Sequence, residues 1–405
     1  MTVRLARRME ILKASDIREI LKVTQRPEVI SFAGGLPAPE LFPTERLAGL
    51  AASILREEGW KALQYSTTEG HPRLREQIAG RGDALWGTVT SPDEVLVTTG
   101  SQQGLDLIGK LFLDDGDTVL CEGPTYLGAI SAWNVFRPRW VEVPTDDDGM
   151  DILALESLLD RHPEARLIYV VPNFQNPSGR TWSIERRRRF MEVVNRRGVP
   201  VVEDNPYGEL RFEGVSLPAL KSLDERGTVL TLGTYSKTFC PGLRLAWLTA
   251  CRALHQKLVI LKQGADLHTA TFNQILVSRY LDTYDMDEDV RRIVEVYRGR
   301  RGAMVESLER EMPDGISFTR PAGGLFLWVE LPPDVNAREL LRRCVERDLA
   351  FVPGGAFFPN GGHENTLRLN FSNMPEARIM AGVRRLGSIL REVMEEGVTS
   401  RAALG

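Results

Sequence analysis

The sequence is poor in the residues that announce metal or disulfide chemistry. Its four cysteines, Cys121, Cys240, Cys251 and Cys344, are widely separated and form no C-x-x-C pair, which argues against both a disulfide framework and a zinc cluster. That usage fits a reducing, cytoplasmic setting. The five histidines are scattered, and none stands in an H-E-x-x-H arrangement. No apolar run reaches the roughly 18 residues that a membrane-spanning helix needs. A net charge of −4 over 405 residues leaves no basic footprint for nucleic acid. The N-terminal MTVRLARRMEILKAS has arginines but no uninterrupted apolar core, so it reads as an amphipathic helix and a poor secretory signal.

Nucleotide-binding signatures fail as well. Gly104 to Lys110 spells G-x-x-x-x-G-K, but Leu111 stands where a P-loop needs a magnesium-holding hydroxyl, and the stretch has helical spacing. No G-x-G-x-x-G occurs, which removes the usual warrant for a dinucleotide fold. Internal repeats, low-complexity tracts and Gly/Ser linkers are absent, so the units of the chain should pack firmly against one another.

What is present is an ordinary globular composition, 42% apolar and 26% charged, long enough for a large domain and a smaller one. From about residue 94 to 250, seven short apolar runs alternate with helical stretches: 94–100, 117–123, 139–144, 165–173, 199–205, 228–235 and 243–250. Most are near-continuous β-branched or apolar runs, as in a mostly parallel sheet covered by helices on both faces. The last two are too close in sequence for a crossover helix, so LRLAWLTA is expected to run antiparallel. IERRRRFMEVVNRRG has helical spacing and a plausible C-cap at Gly198. After about residue 290 the pattern changes to a long charged helix, two strands around a Gly-containing turn, a helix over 337–348, a strand over 366–372 and a final helix from Glu376. That is a second, α+β unit.

In open α/β sheets, ligands sit beyond the carboxyl ends of the strands, so those ends carry the functional signal. The first run ends in Gly100-Ser101-Gln102 at the start of a helix, which offers free N–H groups, a hydroxyl and the positive dipole end to an anion; simple capping by Ser101 is the plainer alternative. The second is followed by Tyr126, whose ring suits either stacking on a flat heterocycle or plain packing. The fourth ends in a polar turn containing Asn176-Pro177-Ser178-Gly179. The fifth ends in Glu203-Asp204, followed by Asn205-Pro206-Tyr207. Successive strand side chains point to opposite faces, so only one of the two carboxylates faces a site, and it requires a cation such as a protonated ring nitrogen. The sixth leads through Thr234 and Ser236 to Lys237, with Arg244 shortly after. A lysine at the mouth of a buried sheet is suited to nucleophilic amine chemistry, and Ser236 and Arg244 suit a phosphate. Together these strand ends fit one flat, anionic, carbonyl-bearing ligand.

This combination resembles the fold-type I pyridoxal phosphate enzymes, and closely their aminotransferases of the 2-aminoadipate and kynurenine type. The likeness runs from SFAGGLPAPELFP through LQYSTTEG, TTGSQQGLDL, EGPTYLGA, NFQNPSG, VVEDNPYGELRF, TYSKTFCPGLRLAW and KQGADLHT to FVPGGAFFPNGGHENTLRLNFS. It implies an α/β fold: a large domain (46–290) with a mostly parallel seven-stranded sheet flanked by helices, and a smaller α+β domain from 1–45 and 291–405. It implies that Lys237 holds pyridoxal 5′-phosphate as a Schiff base and shuttles the substrate proton, and that Asp204 pairs with the pyridinium nitrogen. Tyr126 would stack on the ring, Asn176 and Tyr207 would bond its phenolic oxygen, and Ser101, Gln102, Thr234, Ser236 and Arg244 would hold the phosphate. Tyr65 would reach that phosphate across a two-fold interface, making the active unit a homodimer. Arg368 would clamp the α-carboxylate, helped by Asn176 and the backbone near Gly35.

Specificity is less marked. By the same resemblance Arg18 is a candidate for a distal carboxylate, with an exposed helical arginine as the equal alternative, and Leu36 and its apolar neighbours suit bulky apolar or aromatic substrates. The expected reaction is a ping-pong exchange between 2-oxoglutarate/glutamate and 2-aminoadipate or a bulky apolar amino acid. Decarboxylation or elimination on the same cofactor is the rival, and Arg368 argues for transamination. A transcription regulator with an aminotransferase-like domain is disfavoured by the lack of a basic patch and of room before the small domain.

Overall fold

The computed structural model describes residues 3–10, 26 and 28–402. Among the described residues a 3-10 turn at Arg7–Glu10 precedes a short strand, β1 (Ile30–Ser31), and the helices Thr44–Ala62 and Pro72–Trp86 follow. The sheet-forming region then runs through β2 (Val95–Thr98), β3 (Thr118–Glu122) and β4 (Arg139–Val143). A small hairpin of β5 (Thr145–Asp146) and β6 (Gly149–Met150) precedes β7 (Leu167–Val170), β8 (Val201–Asp204), β9 (Val229–Thr234) and β10 (Ala246–Thr249).

Seven of these strands form one sheet in the order β2-β10-β9-β8-β7-β3-β4. All neighbours are parallel except β10, which is antiparallel to both β2 and β9. The seven apolar runs of the sequence are these seven strands, which are shorter by up to three residues at either end. β2, β3, β7 and β8 are buried at every position, as strands covered on both faces must be. Each Val or Leu enclosed there contributes roughly 1.5–3 kcal/mol relative to exposure.

The covering helices are set by local signals. Ser183 caps Ile184–Arg197 by accepting from the Arg186 N–H, and the helix ends at Gly198 in the left-handed conformation. Asp151 accepts from the N–H groups of Leu153 and Ala154 to start Ile152–Arg161. Gly104 to Lys110 lies inside the helix Ser101–Phe112, away from any phosphate-loop geometry.

The C-terminal part begins with the long helix Met286–Glu311, started by Asp285, whose carboxylate accepts from the Asp287 and Glu288 N–H groups. It continues through β11 (Ser317–Phe318), β12 (Phe326–Glu330), helix Ala337–Glu346, β13 (Leu349–Ala350), β14 (Val352–Pro353), β15 (Thr366–Asn370) and helix Glu376–Ala402. A second sheet has the order β11-β12-β15-β14, antiparallel throughout. β1 pairs in parallel with β13, which ties the N-terminal segment to the C-terminal part. The two-residue strands β1, β13 and β14 have no periodicity to betray them in the sequence, and they form because long-range neighbours supply their partners. Among the described residues, no helix is long and apolar enough to cross a membrane.

Candidate active site

The carboxyl ends of β3, β7, β8 and β9 open on a cavity of about 750 Å³, closed from the other side by residues 33–35 and by β15. Its walls carry Ser101, Tyr126, Asn176, Asp204, Lys237 and Arg368. β10 contributes to this edge because it runs antiparallel: the turn from β9 to β10 holds Ser236, Lys237 and Arg244 at the cavity mouth.

The Lys237 Nζ donates to the Gly35 carbonyl at 2.9 Å. Enclosure lowers its pKa to about 8, and the cations of Arg368 and Arg244 push the same way while Asp204 opposes them. Asp204, at the end of β8, accepts from the Tyr169 hydroxyl at 2.8 Å through Oδ2. Its Oδ1 is buried without a partner among the described residues. Burial pushes the Asp204 carboxyl up to about 6, against the pull of the Tyr169 bond and of Lys237. Glu203 turns to the opposite face, as alternation requires, and accepts from the N–H groups of Leu220 at 2.8 Å and Lys221 at 3.1 Å.

At the end of β2, Gly100 has a φ of +78°. A side chain there would strike the guanidinium of Arg244, so the turn and the arginine form a cradle only glycine allows. The Ser101 hydroxyl is buried and unpartnered, and it makes no capping bond, so the plain capping alternative does not hold. The Thr234 hydroxyl accepts from the Ser236 N–H at 3.0 Å and lies 2.9 Å from the Ser236 hydroxyl, which places Thr234 behind Ser236. Gln102 reaches sideways, its amide donating to the Gly128 carbonyl at 2.9 Å.

Sequence reasoning missed what braces this cradle. Lys262, wholly buried, donates to Asp266 at 2.7 Å and to the side-chain Oε1 of Gln103 at 2.9 Å. Those acceptors in turn take the Thr99 hydroxyl at 2.9 Å and the Thr99 N–H at 2.8 Å. The residues fall within TTGSQQGLDL and KQGADLHT, two stretches that carry the family likeness, but these lie far apart in the chain and nothing local joins them.

The opposite end of the cavity is built on Arg368, in the middle of β15. Its guanidinium stands 4.2 Å from the Phe326 ring centroid and 5.1 Å from that of Phe357. It donates to Asn176 Oδ1 at 2.7 Å and to the Ala33 carbonyl at 2.5 Å, while its Nε has no partner among the described residues. Burial lowers its pKa to about 10, which leaves it charged at neutral pH. Tyr207 is buried beside Phe326, edge to face at 5.8 Å, and burial raises its phenol. Tyr126 lies at the N-terminus of Leu127–Trp133, in the cavity wall. Gly35 turns its carbonyl to Lys237.

Two expected residues are not in this group. Tyr65 is 79% exposed, edge-on to His268 at 5.7 Å and outside the cavity lining. Arg18 lies outside the described residues.

The donor set answers to a ligand with an anionic end at Ser101, Ser236 and Arg244 and a cationic ring atom at Asp204. The orphaned Ser101 hydroxyl and Asp204 Oδ1 are the groups such a ligand would satisfy. Residues 38–386 match the family model of aminotransferase class I and II. The chain belongs to the class I and II aminotransferases. This aminotransferase is 49% identical over 386 residues to a 2-aminoadipate transaminase of Thermus thermophilus, covering 95% of each chain. It is 41% identical to aromatic-amino-acid aminotransferase 1 of Thermococcus litoralis, covering 95% of this chain and 93% of that one. The crystal structure of LysN, an α-aminoadipate aminotransferase from Thermus thermophilus complexed with N-(5′-phosphopyridoxyl)-L-leucine, superposes with a TM-score of 0.90 at 46% identity, covering 96% of this chain and 98% of that one. The aminotransferase uses pyridoxal 5′-phosphate, and its fold is that of the fold-type I enzymes.

Proposed function

We propose that this aminotransferase exchanges the amino group of 2-aminoadipate, or of a bulky apolar or aromatic amino acid, with 2-oxoglutarate, as a cytoplasmic homodimer. One arrangement carries the proposal: a buried Arg368 and a half-buried Lys237 line a single cavity. The names of the Thermus and Thermococcus relatives support the two substrate classes. Four free cysteines support a reducing compartment. We assign the cofactor to residues 46–290 and treat 1–45 with 291–405 as the smaller domain.

When bound, pyridoxal phosphate supplies a carbonyl that takes the amino group and a ring that accepts the electrons left at the substrate's Cα. Ser101, Ser236 and Arg244 hold its phosphate, with Gln102 and Thr234 supporting the cradle. Asp204 would pair with the ring nitrogen, Tyr126 would stack on the ring, and Asn176 with Tyr207 would bond its phenolic oxygen. Arg368 binds the substrate's α-carboxylate, with Asn176 and the Gly35 region orienting it between two aromatic rings. Lys237 Nζ would take the proton from the substrate's Cα and deliver it to the cofactor's C4′ carbon, a task suited to an amine whose pKa is near 8. We assign the partner's Tyr65 to the phosphate end; a distal carboxylate is assigned to Arg18, or, alternatively, an apolar side chain to Leu36 and its neighbours.

The test is a half-reaction screen of the loaded enzyme against 2-aminoadipate, glutamate, leucine, phenylalanine and kynurenine, following the cofactor's visible absorbance. Glutamate and 2-aminoadipate are expected to convert the cofactor and release the matching keto acid in equal amount. Release of carbon dioxide or ammonia instead would overturn transamination, and conversion by apolar donors alone would remove 2-aminoadipate.

A further inference from the structure

Tyr169 occupies the middle of β7, fully buried in a strand that otherwise reads Leu, Ile and Val. A buried phenol needs a hydrogen-bond partner, and the neighbouring strand provides it. Parallel pairing sets Tyr169 opposite Val202. Side chains two apart share a face, so Asp204 projects on the Tyr169 side and Glu203 away from it. The hydroxyl donates to Asp204 Oδ2 at 2.8 Å, and the ring is held edge-on against Trp133 at 5.5 Å. Lys237 also acts on the carboxylate through its charge, and Asp204 in turn raises the phenols of Tyr126 and Tyr207, but the hydrogen bond to the carboxylate comes from Tyr169.

We propose that Tyr169 is a positioning residue that engages Oδ2 of Asp204 so that the unpartnered Oδ1 is presented to the cofactor's ring nitrogen. Without the phenol, the carboxylate is free to rotate about its terminal torsion and loses the donor that favours its charged form in a dry pocket. The inference rests on the assignment of Asp204 to the ring nitrogen made above, and the test separates the two.

The measurement is the affinity of the cofactor-free protein for pyridoxal phosphate and for its 1-deaza analogue, in which C–H replaces the ring nitrogen. The wild-type protein is expected to prefer pyridoxal phosphate, and Tyr169→Phe to reduce that preference by about tenfold, the loss of one hydrogen bond to a charged group. Both affinities are read on one preparation, so a misfolded fraction cancels in their ratio. A second comparison places Tyr169→Phe on Asp204→Asn, where the ratio should change by less than about twofold because the carboxylate that transmits the effect is gone. If the wild-type protein binds both cofactors equally, the assignment of Asp204 fails. If it discriminates and Tyr169→Phe discriminates as well, or loses affinity for both cofactors equally, Tyr169 is only a packing residue and the proposal falls.

Discussion

An amine enclosed in protein loses the hydration that stabilises its charge, and two cations nearby add to the effect; both act on Lys237. Only the neutral amine attacks a carbonyl, so the pKa sets when the cofactor can be captured. Because the shift is downward, the neutral fraction grows as pH rises through about 8 and is nearly complete above it. The rate of cofactor capture by the cofactor-free protein, followed by visible absorbance, should rise with a midpoint near pH 8 and then level off. A midpoint near 10.5, the ordinary lysine value, would contradict the enclosure described. Lys237→Ala should bind the cofactor without the covalent signature and lose turnover.

Arg368 invites a second prediction at this scale. A guanidinium offers a planar fork of donors and can lie flat between Phe326 and Phe357, whereas an ammonium offers neither property. Arg368→Lys keeps the charge but should lose about 1.5–3 kcal/mol of carboxylate binding. That is roughly ten- to hundredfold in kcat/KM, measured with any amino acid donor. An unchanged value would mean that the α-carboxylate binds elsewhere.

At the scale of elements, the turn between β2 and the helix Ser101–Phe112 is where backbone conformation and ligand binding meet. Gly100→Ala puts a side chain at φ +78° and ψ 157°, a region essentially confined to glycine, worth about 1–3 kcal/mol of strain, and also displaces Arg244. Gly116 has a similar φ of +84° but open space around its Cβ position, so Gly116→Ala supplies the strain alone. Both variants should melt lower, while only Gly100→Ala should weaken cofactor affinity, measured by equilibrium dialysis. Equal cofactor affinities in the two variants would remove the phosphate cradle from this turn.

The same turn shows what a chain of letters can reveal. Ser101, Asp204, Lys237 and Arg244 are legible because each follows an apolar run, and strand ends in a parallel sheet share one edge. Arg368 was legible through family resemblance alone, since an arginine in a strand reads locally as a surface residue. Tyr169, Phe326, Phe357 and Lys262 stayed hidden for a different reason. Each looks like core or surface filling until the strand order puts β7 beside β8, or the fold brings Lys262 to Gln103 and Thr99. Those neighbours are tens to hundreds of residues away in sequence, and no local periodicity encodes them.

For the whole molecule, the exposed aromatic and apolar residues around Tyr65 bear on how the site is completed. Trp60 is 81% exposed, Leu63 73% and Tyr65 79%, and Leu267 adjoins the His268 that touches Tyr65. A run of large exposed side chains suits an interface between two copies of the chain. Two inactive variants then distinguish a residue acting within its own subunit from one acting across the interface. In a mixed dimer of Tyr65→Ala and Lys237→Ala subunits, one site combines both lesions. The other joins the intact lysine of one subunit to the intact tyrosine of its partner. Random reassociation of equal amounts makes half the dimers mixed, each with one sound site of two, so activity should recover to about a quarter of wild type above the parents' residual level. Recovery that tracks mixing time and is absent from either parent alone places Tyr65 in the neighbouring subunit's site; no recovery confines it to its own.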